Sequence, residues 1–169
     1  EYQQGLNSKE IDLNLTRVEE VYNALNITLP KGNIFLVGGT NGKGTTVALI
    51  EDMLIQKGIK TGVYTSPHLI NYNERVCVDK NPLSDTELVN SFEQIEQFRG
   101  TVPLTYFEFG TLAAFYLLAT HECDAWIIEV GLGGRLDATN IIQSDVSIIT
   151  NIDLDHQEFL GDSIEEIAY

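Results

Sequence analysis

With 169 residues, 43% of them apolar and 9% aromatic, the chain is long enough to bury a sizeable core and too apolar to be disordered. Ten basic against 25 acidic side chains give a net charge of −15, and Arg135 is the one basic residue after Arg99, so no basic patch exists for a nucleic-acid backbone. Cys77 and Cys123 are too few for a disulfide framework, no apolar run approaches a membrane span, and residues 1–15 lack the pattern of a signal peptide, which together point to the cytoplasm. The chain opens at Glu1 rather than Met and stops at Tyr169 inside a helical pattern, so it reads as a piece of a longer protein.

Thr16, Arg17, Val18 and Glu19 have capping-box spacing, and Val18, Val21, Tyr22 and Leu25 then recur as one helical face. Ile34-Phe35-Leu36-Val37 has the continuous apolar character of a buried parallel strand. A glycine-rich turn, 38–44, leads into an expected helix over 45–57 that Gly58 closes. A second strand is expected at 62–65. Asp85 is the expected cap of a helix carrying Leu88, Phe92 and Ile95 and ending at Gly100. The segment 107–121 is apolar nearly all round and therefore reads as a deeply packed helix. Strands at 125–128 and 146–149 complete the pattern. Strands separated by helices need crossover connections, so the expected fold is α/β with a mostly parallel sheet flanked by helices. In such sheets ligands gather at the carboxyl ends of the strands, where each unusual loop of this sequence falls.

The first of these loops is Gly38-Gly39-Thr40-Asn41-Gly42-Lys43-Gly44-Thr45-Thr46. Successive backbone N–H groups and a helix N-terminus make an anion site there, and Lys43 adds a charge for terminal phosphates. The general phosphate-loop pattern is not met, because Val37 stands at its first glycine and Gly44 at its metal-binding hydroxyl. Ser66, after the second strand, offers a hydroxyl that would replace the missing one, although Ser-Pro also starts many turns. Glu129, at the tip of the third strand, is placed to bind Mg²⁺ directly or through water. Three glycines follow it at 131, 133 and 134, with Arg135 either stabilising phosphate charge or pairing with an acid. His156, among the carboxylates Asp153 and Asp155, is a candidate metal ligand or acid–base group, whereas His121 has a structural reading.

Taken together, these motifs are far more specific than any one of them. Ile-Asp-Leu at 11–13, Gly-Thr-Asn-Gly-Lys-Gly-Thr at 39–45, Ser-Pro-His-Leu at 66–69, Glu-Arg-Val at 74–76, Leu-Thr-Tyr-Phe-Glu at 104–108, the run from Glu129 to Asn140, and Asp-His at 155–156 occur in that order. The sequence closely resembles the folylpolyglutamate synthase and bifunctional dihydrofolate synthase group of the Mur ligase superfamily. The resemblance implies a P-loop NTPase-like fold, with residues 1–169 forming most of an N-terminal ATP-binding domain and a C-terminal glutamate-binding domain absent from this chain. It implies an ATP-dependent carboxylate–amine ligase that joins L-glutamate to dihydropteroate or folate through an acyl phosphate. It also implies that Gly39, Thr40, Asn41, Gly42, Lys43, Gly44 and Thr45 hold ATP, with Lys43, Glu129 and His156 catalytic. Ser66, Glu129 and His156 would serve two Mg²⁺ ions, for which Mn²⁺ can substitute, and Ile11, Leu13, Thr105, Phe107, Asp137 and Ala138 would line the pteroate pocket. The complete enzyme is expected to be a monomer. Two alternatives stay open: a Mur-type cell-wall amide ligase, and a non-catalytic nucleotide-binding module.

Overall fold

The computed structural model describes residues 14–169. Four strands, β1 (Ile34–Gly38), β2 (Thr61–Tyr64), β5 (Ala125–Glu129) and β6 (Val146–Ile149), pair in parallel in the order β2-β5-β1-β6. α1 (Thr16–Leu25) precedes β1, α2 (Lys43–Ile55), α3 (Asp85–Arg99) and α4 (Tyr106–Thr120) run between the strands, and short helices α5 (Gln157–Leu160) and α6 (Ile164–Ala168) come at the end.

The sheet is extended by a hairpin that the sequence pattern did not suggest. β3 (Val76–Val78) pairs antiparallel with β2, and β4 (Asn81–Pro82) pairs antiparallel with β3. Asp79 and Lys80 turn this hairpin with φ of 47° and 66°, the pair of left-handed residues that a tight hairpin turn of matching twist requires. The sheet is therefore mixed at this edge.

Strand residues alternate between two faces. Val37, Val63 and Ile127 pack against Val47 and Ile50 of α2, while Leu36, Tyr64, Trp126 and Ile128 pack on the side of α4. α4 meets the expectation of an all-round apolar helix, with Phe109, Leu112, Ala114, Phe115 and Leu118 buried, and it joins the sheet to α1 and α3. Ser84, not Asp85, caps α3. Its hydroxyl accepts from Glu87 N–H and the Glu87 carboxylate accepts from Ser84 N–H, because only Ser84 has the extended backbone of a cap. The Thr16 box is also displaced: Thr16 is already helical, and its N–H donates to the Asn14 side chain at 2.9 Å. α2 starts earlier than expected, at Lys43, and ends in a Schellman turn with Gly58 at φ +74°.

Candidate functional site

β1 ends at Gly38, and residues 39–42 turn the chain directly into α2. Gly39 (φ +129°) and Gly42 (φ +83°) take backbone conformations that other residues rarely adopt. A Cβ on Gly39 would also lie 2.8 Å from the Asn151 carbonyl and collide with the Thr150 hydroxyl. The segment after β6 holds this loop in place. Thr40 N–H donates to Asn151 O at 2.9 Å, Asn41 N–H to Asn151 Oδ1 at 2.8 Å, and the Thr150 hydroxyl to Asn41 O at 2.6 Å. Thr150 and Asn151 were not singled out from sequence; the available signal was a Thr-Asn pair at a strand's carboxyl end.

The first turn of α2 contains Lys43, Gly44 and Thr45, and Gly44 and Thr45 are exposed. Their N–H groups precede the first intrahelical hydrogen bond, which Thr46 N–H makes to Gly42 O at 3.0 Å, so they point outward as the donors of an anion site. The Lys43 ammonium folds over the loop and donates to Gly39 O at 2.8 Å. Thr46 turns its own hydroxyl back to Gly42 O at 2.9 Å.

Glu129 is the last residue of β5, in register with Val37 immediately before the glycine loop. Ser66 lies just past β2, and its N–H donates to Glu129 Oε2 at 3.1 Å. Burial raises the Glu129 carboxyl above its ordinary range; the Ser66 N–H and the charge of Lys43 oppose that shift. The three chain-distant residues Lys43, Ser66 and Glu129 thus form one cluster at the carboxyl edge of the sheet. Glu129 Oε1 accepts no hydrogen bond from the described residues, and a carboxylate beside a hydroxyl suits a hard divalent cation whose shell water completes. His156 is not part of this cluster. It is exposed at the N-terminus of α5, where its Nε2 lies 3.8 Å from Asp155 Oδ2. Among the described residues no group of three or more His, Cys, Asp and Glu is gathered for a metal.

Thr105 and Phe107 belong to the start of α4, and Asp137 and Ala138 lie in the loop that packs near it. The Thr105 hydroxyl caps that helix by accepting from Glu108 N–H at 3.2 Å, and Glu108 accepts from Thr105 N–H at 2.7 Å. Phe107 stacks on Tyr64 with ring centroids 6.2 Å apart, and Gly131 lies against the Cε–Cζ end of its ring. Asp137 is buried and organises its own loop, accepting from Leu132 N–H at 2.8 Å and Thr139 N–H at 3.0 Å; burial nevertheless raises its carboxyl. Ala138 packs with Val18, Val21 and Leu104. Ile11 and Leu13 lie outside the described residues. Arg135 is exposed, with its guanidinium 4.6 Å from the Tyr169 ring centroid and no carboxylate paired with it among the described residues. His121 has the structural place expected of it, bridging α4 to Glu87 of α3 at 3.0 Å.

Residues 37–169 match the Mur ligase middle domain. The chain belongs to the Mur ligase family. Within it, the chain is 49% identical over 167 residues to the dihydrofolate synthase/folylpolyglutamate synthase of Escherichia coli K12, covering 99% of this chain and 40% of that protein. It is 43% identical to the Bacillus subtilis protein of the same name, covering 91% of this chain and 37% of that protein. Among solved structures it is similar to E. coli FolC in complex with DHPP and ADP, with a TM-score of 0.96 and 49% identity over 98% of this chain and 40% of that one. It is likewise similar to a bifunctional folylpolyglutamate synthase/dihydrofolate synthase with Mn, AMPPNP and L-glutamate bound, with a TM-score of 0.91 and 51% identity over 98% of this chain and 40% of that one. The chain therefore spans about two fifths of the length of these Mur ligase relatives. Their mostly parallel, helix-flanked sheet is the fold described above. Among the described residues no helix is long and apolar enough to cross a membrane.

Proposed function

We propose that this chain is most of the N-terminal ATP-binding domain of a ligase that joins L-glutamate to dihydropteroate, folate or both. The observation that carries the reading is the convergence of Lys43 and the Ser66–Glu129 pair at one end of the sheet, beside the aromatic first turn of α4. Similarity to enzymes solved with ADP, AMPPNP, L-glutamate and DHPP supports the same substrates here.

A carboxylate is a poor electrophile toward an amine, so the reaction first needs it phosphorylated. In this reading residues 39–45 cradle the ATP phosphates through backbone N–H groups. Lys43 swings from Gly39 O to the terminal phosphate, where its charge offsets that of the transferring group. Glu129 and Ser66 would hold a divalent ion, Mg²⁺ or Mn²⁺, which supplies further charge neutralisation at the phosphoryl oxygens. In the same reading His156, together with Glu129, would serve a second ion. Phe107 offers a ring face to the pteroate. Thr105, Asp137 and Ala138 fix the shape of that pocket, since the polar groups of the first two are engaged within the protein. The resemblance assigns Ile11 and Leu13 to the same ligand. Glutamate amine then attacks the acyl phosphate and phosphate leaves. Two cysteines, too few for a disulfide framework, support a cytoplasmic enzyme, and the net charge of −15 supports one without a nucleic-acid partner; the complete form in this reading is a monomer.

The test is glutamate-dependent phosphate release by the complete protein with ATP, Mg²⁺ and dihydropteroate, folate or a UDP-muramyl peptide. Release with dihydropteroate or folate supports the folate ligase. Release with only the muramyl peptide makes it a cell-wall ligase, and nucleotide binding without release makes it a non-catalytic module.

A further inference from the structure

Arg75 ends the short 3-10 turn Tyr72–Arg75, and the residue is 6% exposed. A buried guanidinium stays charged and ordinarily needs a carboxylate. Among the described residues none pairs with it. Its charge lies instead 5.2 Å from the Tyr72 ring centroid and 5.3 Å from that of Tyr106, the first residue of α4. Its Nε–H donates to His68 Nδ1 at 2.8 Å.

That single bond determines the chemistry of His68. Arginine cannot accept a hydrogen bond, so Nδ1 must carry a lone pair and the ring proton must sit on Nε2. The ring is fixed as well as its tautomer, because it packs on Tyr72 with centroids 5.7 Å apart. The turn that carries it is pinned on both sides. Ser66 N–H is held by Glu129, and the N–H groups of Leu69, Ile70 and Asn71 donate to Glu74 at 2.7, 3.1 and 2.7 Å. Among the described residues His68 Nε2 has no hydrogen-bond partner, and the side chain is only half-buried. A preoriented N–H donor therefore stands two residues from Ser66, among aromatic rings and on the α4 side of the sheet. The phosphate loop and Lys43 lie toward α2.

We propose that His68 Nε2–H binds a carboxylate oxygen of the aryl-carboxylate acceptor, and that Arg75 is the positioning residue that fixes the donating tautomer. An aromatic wall beside a fixed donor matches a ligand with an aromatic body and an anionic end. Dihydropteroate, which ends in a benzoate, is such a ligand. The inference rests on the proposed function and names the residue that recognises its acceptor.

Two measurements on the complete protein test it. In ¹⁵N-histidine-labelled protein, the His68 signals, assigned by their loss in H68N, should report a proton on Nε2, and R75M should return the ring to a mixture of tautomers. A proton on Nδ1, or an R75M spectrum like that of the wild type, overturns the proposal. In equilibrium dialysis with dihydropteroate, H68N should bind about tenfold or more weakly, as expected for loss of a hydrogen bond to a charged group. H68Q, whose amide N–H replaces Nε2–H, should stay within about threefold of the wild type. R75M should weaken binding like H68N, while the KM for ATP stays unchanged in all three variants. Equal dihydropteroate affinity in H68N and wild type, or a raised KM for ATP in place of weaker acceptor binding, overturns the assignment while leaving the ligase reading intact. Wild-type protein that binds no dihydropteroate overturns the assignment, and if it also releases no phosphate with folate, glutamate and ATP, the ligase reading falls with it.

Discussion

Arg17 of α1 reaches Glu108 of α4 at 2.8 Å, and both side chains are largely withdrawn from water. Glu108 also accepts from Thr105 N–H, so one carboxylate completes the cap of α4 and receives the tie from α1. Removing Arg17 leaves a buried carboxylate one donor short, which costs about 1.5–3 kcal/mol. Arg17→Met should therefore lower the Tm of the chain by roughly 3–12 °C. Adding Glu108→Gln should cost less than its effect alone, because the uncompensated charge is gone. Thermal unfolding of the four proteins decides it; strictly additive losses would show that the contact carries no coupling.

The Glu129 carboxyl is raised by burial, and this fixes the sign of its contribution to stability. A group that binds its proton more tightly when folded favours the native state below its unfolded pKa, and that gain is lost as pH rises through the raised value. At pH 7 the ionised Glu129 is thus a cost of keeping the site. Glu129→Gln should unfold at a higher temperature than wild type at pH 7, with the gap closing as pH falls through the carboxylate range. In the complete enzyme the same variant should lose ligation by at least about 100-fold. A variant less stable than wild type at pH 7 would show that the Ser66 and Lys43 interactions outweigh desolvation.

What was legible in the sequence was local. β1, β5 and α4 announced themselves because burial on both faces demands continuous apolar runs, and the glycine loop because its chemistry sits within a few consecutive residues. The β3–β4 hairpin was not legible: its strands are short, and Asp79-Lys80 is not a typical left-handed pair. Ser84 and Asp85 are both good cap residues, and only backbone geometry separates them. Thr150 and Asn151 support the loop from more than 100 residues away, a relation that no local pattern carries. Arg75 was noted within a motif, but its burial depends on Tyr72 and Tyr106 meeting across two elements.

That distant support gives a sharp expectation for Gly39→Ala. The added methyl would meet Thr150 Oγ1 and Asn151 O in a backbone conformation alanine disfavours. The loop must move, and nucleotide affinity should fall at least about tenfold while the helical circular-dichroism signal is retained. Thr150→Ala should not rescue it, since the Asn151 carbonyl still stands 2.8 Å away. Titration with a fluorescent ATP analogue measures both, and recovery in the double variant would place the whole conflict at Thr150.

Lys43 presents a separable case, because its ammonium contributes two modest loop contacts, to Gly39 O and Thr40 O at 2.8 and 3.4 Å. Their loss in Lys43→Ala should cost about 1 kcal/mol of stability or less. The loss of charge at the terminal phosphate should reduce acyl-phosphate formation by orders of magnitude. Single-turnover assays of the complete enzyme, set beside its thermal unfolding, separate the two effects. Near-normal turnover would remove Lys43 from the chemistry.

The final expectation concerns the 169-residue chain made alone. β6 lies at the edge of the sheet, with Ile149 67% exposed, and beside it opens a cavity of about 300 Å³ lined by Leu36, Ile149, Phe159 and Leu160. An uncovered edge strand with apolar side chains is a template for pairing with another chain. The isolated chain should therefore associate as its concentration rises, and Ile149→Lys, which adds a charge to that edge, should keep it monomeric in sedimentation velocity. Nucleotide binding should persist in the charged variant, because the phosphate loop is held by Thr150 and Asn151 rather than by Ile149. Association unchanged by the lysine would mean that contact is made elsewhere, with the exposed Leu69 and Ile70 as the next surface to charge.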